Sequence, residues 1–408
     1  MRKSLLLICG IVICGIGVIS LSAARSGQPG LRNSAATDAQ TPAAHDLSSD
    51  YKPLHKGGID LATGLYIREN EDLVVHGAPA LILRRTYLSG YRVSKHFGIG
   101  ATHQGEEYLI GDGERFQWAS LILARGTRIN FRRTTPGTSI LNAQYVHDES
   151  ASEWRGAQLR WAGFTWVLRR EDGSTLTFKG CGPLPGSICS IIKAEDPDGH
   201  TIYYRRNFAG ALQQMADGTG RWIGFDYDET GRIIRAHTST GREVRYEYDA
   251  NGRLKTATAG DGPRYRYTYT DLDQLATIEE PGTSIENRYA DGRCVHQVNR
   301  YPDSDPYVFD FTYHIEESRI VRTETKTSDG THKTYTWDEG RRVLTESFGR
   351  QGYEPIVLSY ERAAGTSAVT ALSVACPDLG GGSRRHTRPV GSGNQDRVKA
   401  ELMRQCFH

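Results

Sequence analysis

The side chains whose spacing could do chemistry in this sequence are rings, thiols and a few scattered acids and imidazoles. Aromatic residues recur in pairs two positions apart: Phe225 and Tyr227, Tyr246 and Tyr248, Tyr267 and Tyr269. Alternate residues of a strand share one face, so these six rings fall together on one side of a sheet. Such a platform is a candidate for stacking on the sugar rings of a cell-wall or surface polysaccharide; the competing reading is a buried aromatic layer. Arg245, Arg264 and Arg266 belong to the opposite face, as solvated charges or as contacts to an anionic glycan.

Bond-breaking chemistry has little to stand on. There is no G-x-S-x-G elbow, no H-E-x-x-H helix and no G-x-x-x-x-G-K-[ST] loop. Gly98-Ile99-Gly100 and Gly111-Asp112-Gly113 lack the third glycine of a dinucleotide fold and read as turns. Glu106 and Glu107 are adjacent, and neighbours in a strand point to opposite faces, so they would not converge on one glycosidic bond. His96 and His103 are the one histidine pair of note and read as solvated loop residues, while Asp196-Pro197-Asp198-Gly199 lacks most of a calcium ligand series and reads as a turn. The expectation is a non-enzymatic chain with no catalytic residue, cofactor or metal.

The thiols point to a compartment. Arg2 and Lys3, the apolar run Leu5 to Ile19 and the small residues Ser22-Ala23-Ala24 make residues 1–24 a signal peptide by pattern, with membrane contact only if that segment is not removed. Behind it remain Cys181, Cys189, Cys294, Cys376 and Cys406, an odd set that leaves at least one thiol unpaired or intermolecular. Cys181 and Cys189 flank a loop whose prolines and glycines can bring its ends together, so these two are expected to pair; Cys376 with Cys406 is a second candidate pair.

Fifty basic and 48 acidic residues leave a formal charge of +2, too balanced to draw the chain to nucleic acid. With 45 glycines and 21 tyrosines against 3 methionines, the composition favours turns and strands over helices. Residues 25–50 are polar and small and read as a disordered linker. Residues 51–135 read as a leading β domain, and 136–194 as a connecting β region carrying the Cys181–Cys189 loop. From 195 to 350 a unit of about 21 residues repeats about six times, set by Gly199, Gly220, Gly241 and Gly262 and by Gly210, Gly231 and Gly252. Each unit runs as a strand with alternating aromatics, a polar turn such as Asp249-Ala250-Asn251-Gly252, and a returning strand from an apolar residue such as Leu254. The segment 351–408 reads as partly disordered, above all from Gly380 to Asn394, with one short helix within Asp396 to Cys406.

The Tyr-x-Tyr-Asp-x-x-Gly-Arg-Leu template, complete in its main positions from Tyr246 to Leu254, resembles the YD repeat of bacterial Rhs proteins. Asp60-Leu61-Ala62-Thr63-Gly64, Glu71 to Gly77, Leu81 to Ser89 and Phe97-Gly98-Ile99-Gly100 resemble the domain that precedes those repeats in the same family. The resemblance implies an all-β chain, a leading Rhs-type domain followed by a strip of β-hairpins. In long members the strip becomes a hollow shell around a C-terminal toxin. With about six units and no junction motif, this chain is expected to carry neither toxin nor self-cleaving activity. Its expected role is an exported module, periplasmic, surface-bound or secreted, that binds a polysaccharide or a partner protein. The alternatives are a truncated carrier or accessory in a contact-dependent competition system and, behind it, a secreted carbohydrate hydrolase. Unpaired edges of an open strip make self-association a further expectation.

Overall fold

Each repeat unit becomes a hairpin for reasons that can be followed atom by atom. The computed structural model describes residues 57–406 apart from 114, 149–153, 182–186, 261, 263, 351–353, 364–367, 378–382 and 392–393. The expected signal peptide and linker therefore lie outside the described residues, as does the loop 182–186. In the best-formed unit the strand Glu243–Tyr248 turns back into Leu254–Ala259, with Val244 and Tyr246 buried and Arg245 and Glu247 in solvent. One Asp249 carboxylate oxygen accepts the N–H groups of Asn251 (3.0 Å) and Arg253 (2.9 Å), and the other accepts from Arg253 Nε at 2.7 Å. Gly252 closes the turn at φ +81°, where any side chain would be strained. Asp228 with Arg232, and Asp338 with Arg342, repeat the same clasp.

What ties one unit to the next is the second ring of each pair. The ladder shifts register just before it, between Asp226 and Tyr227, Glu247 and Tyr248, and Thr268 and Tyr269. The shifted phenol then donates to the carbonyl that opens the previous unit's returning strand: Tyr227 to Leu212 (2.5 Å), Tyr248 to Ile233 (2.6 Å) and Tyr269 to Leu254 (2.8 Å). Tyr289 and Tyr313 continue the series onto Leu275 (2.9 Å) and Cys294 (2.7 Å). The turn arginine covers the next unit's ring, Arg232 lying 4.6 Å above Tyr248 and Arg253 5.1 Å above Tyr269. Tyrosine, aspartate, glycine and arginine each perform one identifiable task in joining neighbours.

These hairpins form a single antiparallel strip that runs from Cys189–Glu195 to Ser383–Pro389, each strand paired with its neighbours in sequence. Its first strand also belongs to a ring. Tyr108–Gly111, Trp118–Ile122, Arg128–Arg133, Gln144–Val146, Gln158–Trp161, Thr165–Arg169, Thr175–Lys179 and Cys189–Glu195 pair in order, and Cys189 and Ser190 return to Leu109 and Tyr108. Phe131, Tyr145, Leu159, Trp166, Leu168 and Phe178 are buried within it. The boundary read at 135/136 thus falls between two strands of one ring, because both sides of it supply alternating strands to the same core. Ahead of the ring, Ile67–Val75, Leu81–Leu88 and Ala101–His103 make a three-stranded sheet.

The far end departs from expectation. Ile356–Arg362, Val369–Pro377 and Ser383–Pro389 extend the strip beyond residue 350, and the last of them lies inside the segment read as disordered. Ser-Arg-Arg-His-Thr-Arg-Pro has no apolar pattern of its own; it is a strand because Val369–Pro377 offers it a complete backbone ladder. The helix Gln395–Gln405 is present, with Val398 and Leu402 buried. Disulfides join Cys181 to Cys189 and Cys376 to Cys406. Cys294 is a buried free thiol pushed up to about 12 by its burial, which makes it unreactive.

If the phenol ladder holds the units together, Tyr248→Phe lowers stability by about 1 kcal/mol, and Gly252→Ala by about 1 to 2 kcal/mol through its forced left-handed backbone. Both are read as a shift in urea midpoint at unchanged slope.

Candidate functional site

The six rings named as a stacking platform do share one face of the strip, but the chain's own leading segment covers them. Phe225, Tyr246 and Tyr267 are buried, and Tyr227, Tyr248 and Tyr269 are half-buried and packed on the core. His103 stacks on Phe225 at 5.7 Å, His96 meets the edge of Tyr227 at 5.4 Å, Phe97 meets Tyr246 at 4.9 Å and Tyr87 meets Tyr269 at 6.2 Å. Arg85 lies 5.3 Å over Tyr267, and the Tyr248 hydroxyl reaches His96 O at 3.3 Å. The stacking assignment is therefore corrected: each ring already has a covering group, and no sugar can lie on them without displacing residues 85–103.

The covering is held by buried polar groups. Arg85, 2% exposed, donates to Asp72 through Nε (2.8 Å) and Nη2 (3.0 Å), and Nη2 also reaches the Tyr267 hydroxyl at 3.0 Å. The Tyr246 hydroxyl donates to Asp72 Oδ2 at 2.8 Å. Burial works against the Arg85 charge, yet the adjacent Asp72 carboxylate holds the guanidinium well above its ordinary value. Burial first, and then Asp72, push the Tyr246 phenol well up as well. Neither Arg85 nor Tyr246 exchanges a proton near neutral pH, and both serve as parts of a clamp.

A second cluster lies one turn away. Glu106 accepts the backbone N–H groups of His96 (3.2 Å) and His103 (3.2 Å), and its Oε1 lies 2.6 Å from His96 Nδ1. Burial alone would raise the Glu106 carboxyl, but the facing His96 and His103 hold it down to about 2. Burial drives the His103 imidazole down to about 4. Both histidines, expected in solvated loops, are instead packed inside, because the 3-10 turn Gln104–Glu106 folds His103 under the strip. The donor atoms of His96, His103 and Glu106 lie within 4.8 Å of one another, as in a metal set. His103 Nδ1, however, accepts the Gly105 N–H at 3.2 Å, so its proton sits on Nε2 and no lone pair remains there for an ion. The trio is the cap of a tight turn.

At the other end of the strip Glu346 is buried against the helix. It takes the Tyr360 hydroxyl at 2.5 Å and Lys399 Nζ at 2.8 and 2.9 Å. The disulfide from Cys376 to Cys406 fixes the same helix from its far end. Elsewhere Asp196 and His200, 2.8 Å apart, form an exposed version of the repeat's turn clasp. A polar cleft of about 370 Å³ opens beside the Arg68–Glu280 ion pair, with Asn299 and Arg300 on its wall. None of the three buried clusters lines it.

With this geometry in view, two family matches fall where the structure divides. The description "RHS Repeat" matches residues 227–264 and 248–285, the hairpins of the phenol ladder, and "Domain of unknown function (DUF6531)" matches 56–131, the covering segment with the first ring strands. The chain is an Rhs-repeat protein. No curated protein sequence matches it significantly. Among solved structures, 76% of this Rhs-repeat chain aligns with 20% of a chain of the Photorhabdus luminescens Tc holotoxin pore carrying the mutation TccC3-D651A (8% identity, TM-score 0.34). Likewise 82% aligns with 21% of a chain of TcdB2-TccC3-TEV (11% identity, TM-score 0.25). The protein spans about a fifth of those chains, and scores this low say nothing about what it does.

The clamp is tested by removing one partner. Arg85→Met strands the Asp72 carboxylate and costs about 3 to 5 kcal/mol, whereas Arg266→Ala, at an exposed pair with Glu279, costs under about 1 kcal/mol; thermal or urea unfolding separates the two. His103, depressed from 6.5 to about 4, contributes stability that is whole above pH 6.5 and is lost as pH falls toward 4. Replacing it by glutamine flattens that stretch of the stability curve relative to the unaltered protein.

Proposed function

We propose that this Rhs-repeat protein is an exported, non-enzymatic module that binds a polymer or protein of the cell envelope. The observation that supports it is the filling of the strip's inner face by residues 57–107. The Arg85–Asp72 pair and the Glu106 turn are engaged in holding that segment. Asp60, whose carboxyl burial raises to about 6, accepts the Ala62 N–H and the Thr63 hydroxyl, and the cleft beside Arg68 contains none of these groups. Among the described residues that face is covered by the chain itself, which favours a binding module over a carrier that encloses cargo there.

What faces outward includes a polar surface of ion pairs, most of them across strands. Arg235 bridges Asp226 and Glu243, Arg264 meets Glu247, and Glu286 takes both Arg288 and Arg300. Such a surface neutralises itself and suits a partner recognised by shape and hydrogen bonds over one drawn by net charge. The disulfides Cys181–Cys189 and Cys376–Cys406 fit an oxidising compartment, in keeping with the leader-like residues 1–24.

The test is fractionation with external protease on intact cells, together with sedimentation of the purified protein with isolated envelopes. The expected result is recovery in the exported fraction and co-sedimentation with envelope material. Full recovery from the cytoplasm, or from the supernatant in the presence of envelopes, overturns the proposal.

A further inference from the structure

Among the described residues the strip is covered at its start and open at its finish. Its first strand, Cys189–Glu195, is locked into the ring on one side and continues into Thr201–Arg206 on the other. Its last, Ser383–Pro389, is laddered to Val369–Pro377 along its whole length. Among the described residues nothing pairs with its other edge.

The register says which backbone groups that edge presents. Val390 N donates to Thr370 O at 2.8 Å, so these two form a hydrogen-bonded pair. Such pairs alternate in an antiparallel ladder, which makes Leu372/Arg388, Val374/His386 and Cys376/Arg384 the others. The N–H and C=O groups of Ser383, Arg385 and Thr387 therefore point away from the strip, as does the Pro389 carbonyl. Pro389 stands at an outward position, where its missing N–H costs no bond.

The side chains of this edge are basic. Arg385, His386 and Arg388 fall within one strand, exposed except the half-buried His386. Glu401 is 3.8 Å from Arg388 and is shared with Arg397 at 3.0 Å, one carboxylate between two guanidinium groups. A second copy laid along the same edge would set arginine and histidine against arginine and histidine, and like charges directly opposite are destabilising. An extended segment with acids at alternate positions satisfies both the open backbone groups and the charge. We infer that the edge Ser383–Pro389 accepts an extended acidic segment of a partner protein as a further antiparallel strand, which names the partner chemistry for the binding-module reading above and rests on it.

The experiment titrates the intact protein with a short fluorescein-labelled peptide of alternating glutamate and valine, read by anisotropy, beside the same peptide with lysine for glutamate. Saturable binding of the acidic peptide alone is expected. The double substitution Arg385→Glu with Arg388→Glu should weaken it at least about tenfold, about 1.4 kcal/mol or more. Thr387→Pro removes an outward N–H and no charge; it should also weaken binding, with an unchanged circular dichroism spectrum. If that variant does not fold, the charge reversal and the response to salt still decide. Equal binding of both peptides, no binding, tighter binding of a DNA oligonucleotide, or self-association abolished by the charge reversal each overturns the assignment. Failure here with envelope co-sedimentation retained removes the edge alone, and loss of both removes the binding-module reading.

Discussion

A charge taken out of water has to be answered where it lies, and the Arg85–Asp72 pair is where this fold makes that demand. Two residues of the leading sheet carry the charges, and two hydroxyls of the strip, on Tyr246 and Tyr267, complete their hydrogen bonds. Neither half satisfies the set by itself: without the strip the pair is open to water, and without the pair the rings of the strip face nothing. The hydrophobic contacts around it, Phe97 on Tyr246 and Tyr87 on Tyr269, supply area, while the charged pair fixes where that area must meet.

The repeat was legible because its chemistry is local. Asp249, Gly252 and Arg253 act within one turn, and the joint between units, from the Tyr248 hydroxyl to Ile233 O, spans only neighbouring units, so a fixed period in the sequence carries it. The Cys181–Cys189 pair was legible for the same reason, being eight residues apart. The covering of the rings was not, since Arg85 and Tyr267 are 182 residues apart. In Leu81–Leu88, Arg84 is exposed and Arg85 buried, although adjacent arginines look alike in a sequence. The one local hint is that Arg85, Thr86, Tyr87 and Leu88 are all buried, the mark of a strand with no wet face, and a run ending in Thr-Tyr-Leu is weak notice of it. Ser383–Pro389 went unread because nothing in its own residues makes it a strand; its partner does.

Filling one face of the strip with the chain's own residues sets how the two parts pack. Here the face that carries the rings is occupied by residues 57–107. Glu106, held down to about 2, and His103, down to about 4, serve to fix a turn, as does Asp60, which burial raises to about 6. The binding-module proposal looks to the surfaces, the ion-paired outer face and the basic final edge.

Hydrogen exchange of the native protein tests this account most directly. If the leading sheet is part of the strip's core, the amides of Leu81–Leu88 exchange only in the same cooperative opening as those of Glu243–Tyr248 and Arg264–Tyr269. Exchange of Leu81–Leu88 through a separate, low-energy opening, with both strip strands still protected, would contradict it.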